Sequence, residues 1–220
     1  MESSARGHAV RTRIKFCGIT RTDDARRAVE LGVDALGFVF TRSSQRFIGI
    51  TQARAMRSAL PPLVSVVALF MDDEPGWIEE VLASVQPDVL QFHGEETAGF
   101  ASSFARPYIK SVPMGSIANA ARYMADYSSA SGFLLDSHER GARGGTGEVF
   151  DWSRSPQEEE RPIVLAGGLT PANVAVAIAA VRPYAVDVSS GVESAPGIKD
   201  VSKMRAFVAA VRAAETGSPG

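Results

Sequence analysis

Short runs of apolar residues alternate along the whole chain with longer runs in which apolar positions recur every three or four residues. The short runs are nearly continuous in apolar residues, which is typical of strands covered on both faces. Eight of these runs predict strands, at residues 14–17, 35–40, 64–70, 89–92, 108–112, 133–136, 163–166 and 185–189.

The longer, amphipathic runs predict helices between these strands and after the last one. The first begins at Thr22-Asp23-Asp24 with residues typical of helix N-termini, and Gly32 follows its end. A later run begins at Thr170-Pro171, where a capping residue precedes a proline at the first helical position. The predicted helices span residues 23–31, 51–59, 76–84, 96–104, 116–127, 150–153, 171–180 and 201–214.

This alternation predicts an α/β protein with a parallel sheet and right-handed crossovers. Closed on itself, the sheet is a single (β/α)8 TIM barrel, and 220 residues suit one such domain. An open doubly wound sheet would give the same alternation, although its commonest forms have about five or six strands. We expect the domain over residues 13–214, between a flexible N-terminal extension at 1–12 and a flexible tail at 215–220.

Charge and cysteine content narrow the class of function. The formal net charge of −2 gives no basic bias, so we expect no nucleic-acid partner. The only cysteine cannot form an internal disulfide, which favours a reducing compartment, and we expect a cytoplasmic protein. No apolar run approaches the ~20 residues of a membrane span, and no signal-peptide core precedes the first strand. We therefore expect no membrane partner.

The active site of such a barrel is built at the carboxyl ends of its strands. Cys17 ends the first strand, where the helix beyond Gly18 should lower the pKa of the thiol and let it act as a base. A lone cysteine is, however, more often a small buried apolar residue. Asp136 ends the apolar sixth strand, where burial should raise the carboxyl pKa and suit a general acid. The alternative for Asp136 is a cap or an ion pair with the following loop.

Small residues follow the last two strands. Gly167 and Gly168 come after strand seven, and Ser189, Ser190 and Gly191 come after strand eight. Loops at these two positions commonly bind a phosphate in such barrels, through backbone amides and hydroxyls. Tight turns alone would be the other interpretation of these glycines.

Three further polar residues follow or end strands. Arg46 is a candidate carboxylate clamp or a surface arginine, His93 has a structural or substrate-positioning role, and Asp187 contacts substrate or supports its loop. The histidines show no metal-ligand spacing, so no metal site is expected. The glycine-rich segment 141–147 is interpreted as an active-site lid, with a flexible surface loop as the alternative.

Seven short segments carry a family resemblance. They read Lys15-Phe16-Cys17-Gly18-Ile19-Thr20, Ser44-Gln45-Arg46, Gln91-Phe92-His93-Gly94, Leu135-Asp136, Gly144-Gly145-Thr146-Gly147, Ala166-Gly167-Gly168-Leu169 and Asp187-Val188-Ser189-Ser190-Gly191-Val192-Glu193. With them the chain resembles the phosphoribosylanthranilate isomerases of tryptophan biosynthesis, from about residue 14 to residue 211. The resemblance implies that Cys17 is the general base, Asp136 the general acid and Arg46 the clamp for the anthranilate carboxylate. The family commonly has proline where Gln45 stands, in the loop that aims Arg46, and leucine where Phe92 stands.

The resemblance implies an Amadori rearrangement of N-(5-phosphoribosyl)anthranilate to 1-(2-carboxyphenylamino)-1-deoxyribulose 5-phosphate. It implies no cofactor and no metal, because the imine intermediate is itself the electron sink. The partner would be a small phosphorylated substrate, and the assembly a monomer or a homodimer. Two alternatives stay open. One is the related aminoaldose isomerase of histidine synthesis, or a bifunctional barrel; that isomerase has an aspartate where Cys17 stands and binds two phosphates. The other is a non-catalytic barrel that binds a sugar phosphate.

Overall fold

The computed structural model describes residues 11–139, 149–156 and 159–216. Its main sheet is made of β1 Arg13–Cys17, β2 Ala35–Val39, β3 Ser65–Phe70, β4 Val89–Phe92, β5 Tyr108–Pro113, β6 Gly132–Asp136, β7 Ile163–Leu165 and β8 Ala185–Val188. These strands are parallel and close into a barrel, because β1 pairs with β2 on one side and with β8 on the other. The closed sheet confirms the predicted (β/α)8 TIM barrel and excludes the open doubly wound sheet.

Helices follow most of the strands. In the part of the chain that the structure describes, they are α1 Thr22–Glu30, α2 Ile50–Ala59, α3 Pro75–Val85, α4 Ala98–Ser103, α5 Ala120–Ala125, α6 Val174–Val181 and α7 Val201–Thr216. A 3-10 helix at Trp152–Arg154 stands between β6 and β7, where the sequence predicted a short helix at 150–153. Among the described residues, no helix is long and apolar enough to cross a membrane.

The two faces of the barrel sheet differ in character, because side chains alternate between them along each strand. The outer face is mostly apolar and packs against the helices; the rings of Phe16 and Phe207, for example, meet edge to face with centroids 6.0 Å apart. Inside the barrel lies a smaller apolar cluster of Leu134, Val164, Ala166 and Ala185. The interior also carries ionisable groups, since Lys15 and Cys17 share one face of β1 and Lys15 is the register partner of Asp187. These groups form the floor of the site.

Three helices begin two to four residues later than predicted. Helix α5 begins at Ala120 and not at residue 116, after Asn119, whose side chain accepts a hydrogen bond from Arg122 N. Helix α6 begins at Val174 and not at Pro171, because the Asn173 side chain accepts a hydrogen bond from Thr170 N and donates one to Gly168 O. These bonds hold the preceding residues in a turn. Helix α4 begins after Thr97, whose hydroxyl accepts from Phe100 N.

A small antiparallel hairpin, β9 Glu193–Ala195 with β10 Ile198–Lys199, follows β8 and was not predicted. Its strands have three and two residues, too short for a periodic signal. The Pro196-Gly197 dipeptide at its turn is the one local signal that could have revealed it. The hairpin brings Glu193 and Lys199 to the site.

Several predictions concern residues outside the described ones. The expected lid at 141–147 lies there entirely, together with 1–10 of the expected N-terminal extension and 217–220 of the expected tail. Of the extension, Thr12 is described and buried. Of the tail, Glu215 and Thr216 continue α7 beyond its predicted end at residue 214.

Candidate active site

The carboxyl ends of the barrel strands surround a pocket. Nine of the ten predicted site residues line it: Cys17, Arg46, His93, Asp136, Gly167, Gly168, Asp187, Ser189 and Ser190. The tenth, Gly191, lies in a 3-10 helix at Ser190–Val192 and packs against the backbone carbonyl of Leu169. The pocket is lined by residues with buried polar atoms that have no hydrogen-bond partner among the described residues: Gln91 Oε1, His93 Nε2, Asp187 Oδ1 and Ser189 Oγ. Such atoms are typical of a ligand-binding site.

Cys17 belongs to a buried row of chemically active groups. Its side chain follows Lys15 on the inner face of β1, and Lys15 Nζ donates to Asp187 Oδ2 at 2.9 Å. Gly37 on β2 makes room for this row. A Cβ at Gly37 would lie 2.8 Å from Cys17 Sγ and 3.1 Å from Lys15 Cε. A thiol, an ammonium and a carboxylate are therefore held in contact inside the barrel.

The predicted lowering of the Cys17 pKa is wrong. Burial raises the pKa of the thiol above its ordinary value, and the neighbouring Lys15 ammonium offsets this only in part. Helix α1 begins at Thr22, beyond the turn at Gly18, and a helix dipole acts only close to its first turn. The thiol is therefore protonated in the resting protein near neutral pH.

Asp136 ends β6 between two histidines. Its Oδ2 lies 3.7 Å from His93 Nε2 and its Oδ1 lies 3.7 Å from His138 Nδ1. The backbone N–H of His138 also donates to Oδ1, at 3.4 Å. The two imidazole rings stack with centroids 4.3 Å apart. The carboxyl group is thus the meeting point of β4 and β6 at the wall of the pocket.

The predicted rise of the Asp136 pKa is also wrong. Burial alone would raise it, but hydrogen bonding from His138 and the electrostatic interaction with the two imidazoles outweigh burial and lower the pKa of Asp136. Burial lowers the pKa of His93 to about 3, so this histidine is neutral. The sequence suggested burial of the carboxyl group but not its histidine neighbours, which reverse the sign.

Small residues form the opposite end of the pocket. The backbone of Gly167 has φ +79°, and a Cβ there would lie 2.5 Å from Ser137 N and 3.0 Å from Asp136 Oδ1. Only glycine therefore lets the β7 loop approach the end of β6 so closely. From the next strand, Ser189 offers a buried hydroxyl without a partner among the described residues. Backbone amides and hydroxyls together suit an anion such as phosphate.

Arg46 reaches the pocket rim from the loop after β2. Its Nε and Nη2 donate to the two carboxylate oxygens of Glu193 at 2.9 and 2.7 Å. Glu193 also accepts from Lys199 Nζ at 2.8 Å, and Lys199 donates to the carbonyls of Cys17 and Ser189. The Arg46 side chain is 16 % exposed, which excludes a solvated surface arginine. The bidentate pair uses one edge of the guanidinium, and the other edge can hold a second carboxylate.

Sequence reasoning missed four polar neighbours of these residues: Lys15, His138, Glu193 and Lys199. Two of them had an available signal, because Lys15 shares a strand face with Cys17 and His138 stands two positions after Asp136. For Glu193 and Lys199 the only signal was the Pro196-Gly197 turn between them, which predicts neither their contact with each other nor their place at the pocket. Asp187 turns out to hold Lys15 through Oδ2 while its Oδ1 stays unpartnered.

Comparison with known sequences identifies the family. Residues 14–210 match the family model described as N-(5'phosphoribosyl)anthranilate (PRA) isomerase. A relative named N-(5'-phosphoribosyl)anthranilate isomerase from Xanthomonas oryzae pv. oryzae is 54 % identical over 211 residues, which cover 93 % of this chain and 95 % of the relative. A relative of the same name from Pseudomonas fluorescens is 54 % identical over 200 residues, covering 91 % and 98 %.

Solved structures agree with this result. Phosphoribosyl anthranilate isomerase from Thermotoga maritima superposes with a TM-score of 0.83 at 40 % identity, covering 92 % of this chain and 99 % of that one. A phosphoribosyl anthranilate isomerase in complex with reduced 1-(o-carboxyphenylamino)-1-deoxyribulose 5-phosphate has a TM-score of 0.78 at 38 % identity, with the same coverage. The match spans the whole barrel in sequence and in three dimensions, and the chain belongs to the N-(5'-phosphoribosyl)anthranilate isomerase family.

Proposed function

We propose that Cys17 and Asp136 carry the proton transfers by which this isomerase converts N-(5-phosphoribosyl)anthranilate into 1-(2-carboxyphenylamino)-1-deoxyribulose 5-phosphate. The observation that carries the proposal is their placement: both end barrel strands, and both line one pocket together with the loops after β7 and β8. A base and an acid on either side of a bound sugar are what an aldose–ketose rearrangement requires.

The reaction is a sequence of proton shifts that leaves the composition of the substrate unchanged. Asp136 gives a proton to the furanose ring oxygen, the bond from that oxygen to C1 breaks, and an iminium forms between C1 and the anthranilate nitrogen. The Cys17 thiolate removes the proton on C2, and the electron pair moves to give an enolamine. The C2 hydroxyl then gives its proton to the Asp136 carboxylate and the Cys17 thiol gives its proton to C1, which yields the ketone and returns both residues to their starting states.

The remaining pocket residues bind and orient the substrate. Gly167, Gly168, Ser189, Ser190 and Gly191 bind the phosphate through amides and hydroxyls. The support for this assignment is the unpartnered Ser189 hydroxyl and the close approach of the glycine loop.

The anthranilate carboxylate binds the free edge of the Arg46 guanidinium, which the Glu193 carboxylate holds in place. His93 and Asp187 face the sugar with their unpartnered atoms, Nε2 and Oδ1.

Only a minority of the molecules carry the two protonation states that the reaction needs. The reaction needs a Cys17 thiolate and a protonated Asp136, whereas the raised pKa of Cys17 and the lowered pKa of Asp136 favour the reverse arrangement. The pH profile of kcat/KM is then bell-shaped, and its alkaline limb follows the Cys17 pKa. In Asp136→Asn only the thiolate matters, so the residual rate should rise through that same pKa instead of falling.

The experiment is a fluorescence assay of N-(5-phosphoribosyl)anthranilate consumption with purified wild type, Cys17→Ser and Asp136→Asn. We expect each variant to lose at least about 100-fold in kcat while still binding a product analogue in calorimetry. Wild-type kcat in Cys17→Ser would refute the assignment of the base. An alkaline limb that falls unchanged in Asp136→Asn would move the acid role elsewhere, first to Asp187.

The same assay distinguishes the alternative enzyme classes. The aminoaldose substrate of histidine synthesis carries two phosphates, and the glycine-rich loops supply one phosphate site. We expect turnover of the phosphoribosylanthranilate and none of the histidine-pathway substrate. Absence of both activities would support a barrel that only binds sugar phosphates.

We propose that the protein works in the cytoplasm on this small phosphorylated substrate, with neither nucleic acid nor membrane as a partner. The supports are the net charge of −2 and the single cysteine. For the assembly we propose a monomer or a homodimer; one solved structure is described as generated monomers of the dimeric phosphoribosylanthranilate isomerase from Thermotoga maritima. Analytical ultracentrifugation at the enzyme concentrations used in the assay measures the oligomeric state.

A further inference from the structure

His93, Asp136 and His138 form a buried cluster whose possible metal-ligand atoms lie close together. Their nearest ligand atoms all lie within 4.8 Å of one another. His93 and His138 are 8 % and 5 % exposed, and neither His93 Nε2 nor His138 Nδ1 has a hydrogen-bond partner among the described residues. Buried polar atoms without partners are uncommon, and two of them aimed at one carboxylate indicate a capacity to bind a cation.

We propose that His93, Asp136 and His138 bind a divalent transition-metal ion of the Zn²⁺ type. Two imidazoles and one carboxylate are a donor set that Zn²⁺ and Co²⁺ commonly take. In a tetrahedral site with bonds of about 2.0–2.2 Å, ligand atoms lie about 3.3–3.6 Å apart. Each imidazole nitrogen stands 3.7 Å from a different oxygen of the Asp136 carboxylate. The two rings are stacked with their planes at 27°, so both rings must turn out of the stack for their lone pairs to meet at one ion.

Gln91 provides the outer support that such a site needs. Its Nε2 lies 3.4 Å from His93 Nδ1, and its Oε1 is buried without a partner among the described residues. A half-turn of the carboxamide exchanges these two atoms, so that Oε1 accepts the Nδ1 proton of His93. The Nε2 lone pair of His93 then faces the metal, which is the tautomer that ligation requires.

The fourth coordination position opens into the pocket, since His93 and Asp136 line it. A bound ion would hold the Asp136 oxygens and prevent that residue from donating its proton. We therefore expect the metal to inhibit the isomerase. This consequence rests on the proposed role of Asp136 as the acid, whereas binding itself does not.

The test is titration of the metal-free full-length protein with Co²⁺, followed by its visible d–d absorption, and with Zn²⁺ by calorimetry. We expect one ion per chain, and a loss of at least about 100-fold in affinity in His138→Ala and in His93→Ala. His8→Ala changes the remaining histidine of the chain and should leave affinity unchanged. Cys17→Ser should also leave it unchanged, and circular dichroism shows whether each variant is folded.

Two results would overturn the site. One is wild-type affinity in a folded His138→Ala variant. The other is a thiolate-to-cobalt absorption band in the wild type, with both the band and metal binding lost in Cys17→Ser. The rate assay then tests the consequence separately. Zn²⁺ should abolish turnover and a chelator should restore it. If the ion binds through His93, Asp136 and His138 and the rate does not fall, the metal site is supported and the acid role of Asp136 is refuted.

Discussion

Two buried lysine–carboxylate pairs occupy opposite faces of the barrel sheet. Lys15 and Asp187 meet inside the barrel, and Lys110 on β5 meets Glu96 on its outer side; both pairs are 2.9 Å long. No buried side-chain polar atom of the outer pair lacks a hydrogen-bond partner among the described residues. Glu96 also accepts the backbone N–H groups of Gly94 and Asp72, and Lys110 also donates to Gly94 O.

The inner pair is not saturated. Asp187 Oδ1 has no partner among the described residues and lies at the pocket, and the Lys15 ammonium also faces the Cys17 thiol. Length and burial therefore do not distinguish a structural ion pair from a functional one. What distinguishes them is whether every donor and acceptor is used, because an unused buried polar atom costs free energy unless a substrate later engages it.

The largest expected effect is on stability, at the outer pair. Lys110→Met leaves Glu96 buried and unpaired, and we expect a loss of about 3–5 kcal/mol in the free energy of unfolding. The kcat per folded molecule should stay within about threefold of wild type, because Lys110 lies outside the pocket. Urea denaturation and active-site titration measure the two quantities. A large fall in kcat at full occupancy of the folded state would contradict the structural role.

At the inner pair we expect a smaller loss of stability and a larger loss of kcat. In Lys15→Met the free energy of unfolding should fall less than in Lys110→Met, because burial already raises the pKa of Asp187 and protonation can neutralise it. The kcat should fall by about 100-fold. Removing the Lys15 ammonium raises the Cys17 pKa further, so the alkaline limb of kcat/KM should move to higher pH. An alkaline limb at the wild-type position would mean that Lys15 does not influence the pKa of Cys17.

Glu193 at the pocket rim is a third buried carboxylate, and it pairs with both Arg46 and Lys199. Arg46→Ala should cost about 1.5–3 kcal/mol in kcat/KM, because it removes hydrogen bonds to a charged carboxylate. Glu193→Gln keeps the Arg46 guanidinium but weakens its support, so the loss should be smaller and lie mainly in KM. Arg46→Lys should recover little, since an ammonium lacks the planar fork. Equal losses in Glu193→Gln and Arg46→Ala would mean that Glu193 does more than position the arginine.

The smallest effect concerns acid stability at the pocket. Burial lowers the pKa of His93 to about 3, so between its ordinary value and about pH 3 the unfolded chain binds a proton that the folded chain does not. Stability is thus lost as pH falls through that range, with a slope of at most about 1.4 kcal/mol per pH unit from this group. His93→Gln should flatten the slope in urea melts at a series of pH values. An identical slope would show that Asp136 and other carboxylates carry the acid sensitivity.

Periodicity alone predicted the eight strands of a parallel sheet, although it left an open sheet as the alternative to the closed barrel. The last residue of each apolar run can be read from the sequence, so Cys17 and Asp136 could be placed at the carboxyl ends of their strands before any contact was known. The small residues after β7 and β8 could be interpreted from the sequence alone, because loops of glycine and serine at these two positions of a barrel commonly bind a phosphate.

Tertiary structure alone decided the electrostatics and the partners. The pKa values of Cys17 and Asp136 shift opposite to the sequence prediction, since a shift depends on which charges surround a buried group and not on its place along the chain. Glu193 and Lys199 reach the pocket through a hairpin too short to leave a periodic signal. The sequence encodes which groups end the strands, whereas only the closed barrel determines how many of their hydrogen bonds are left for a substrate.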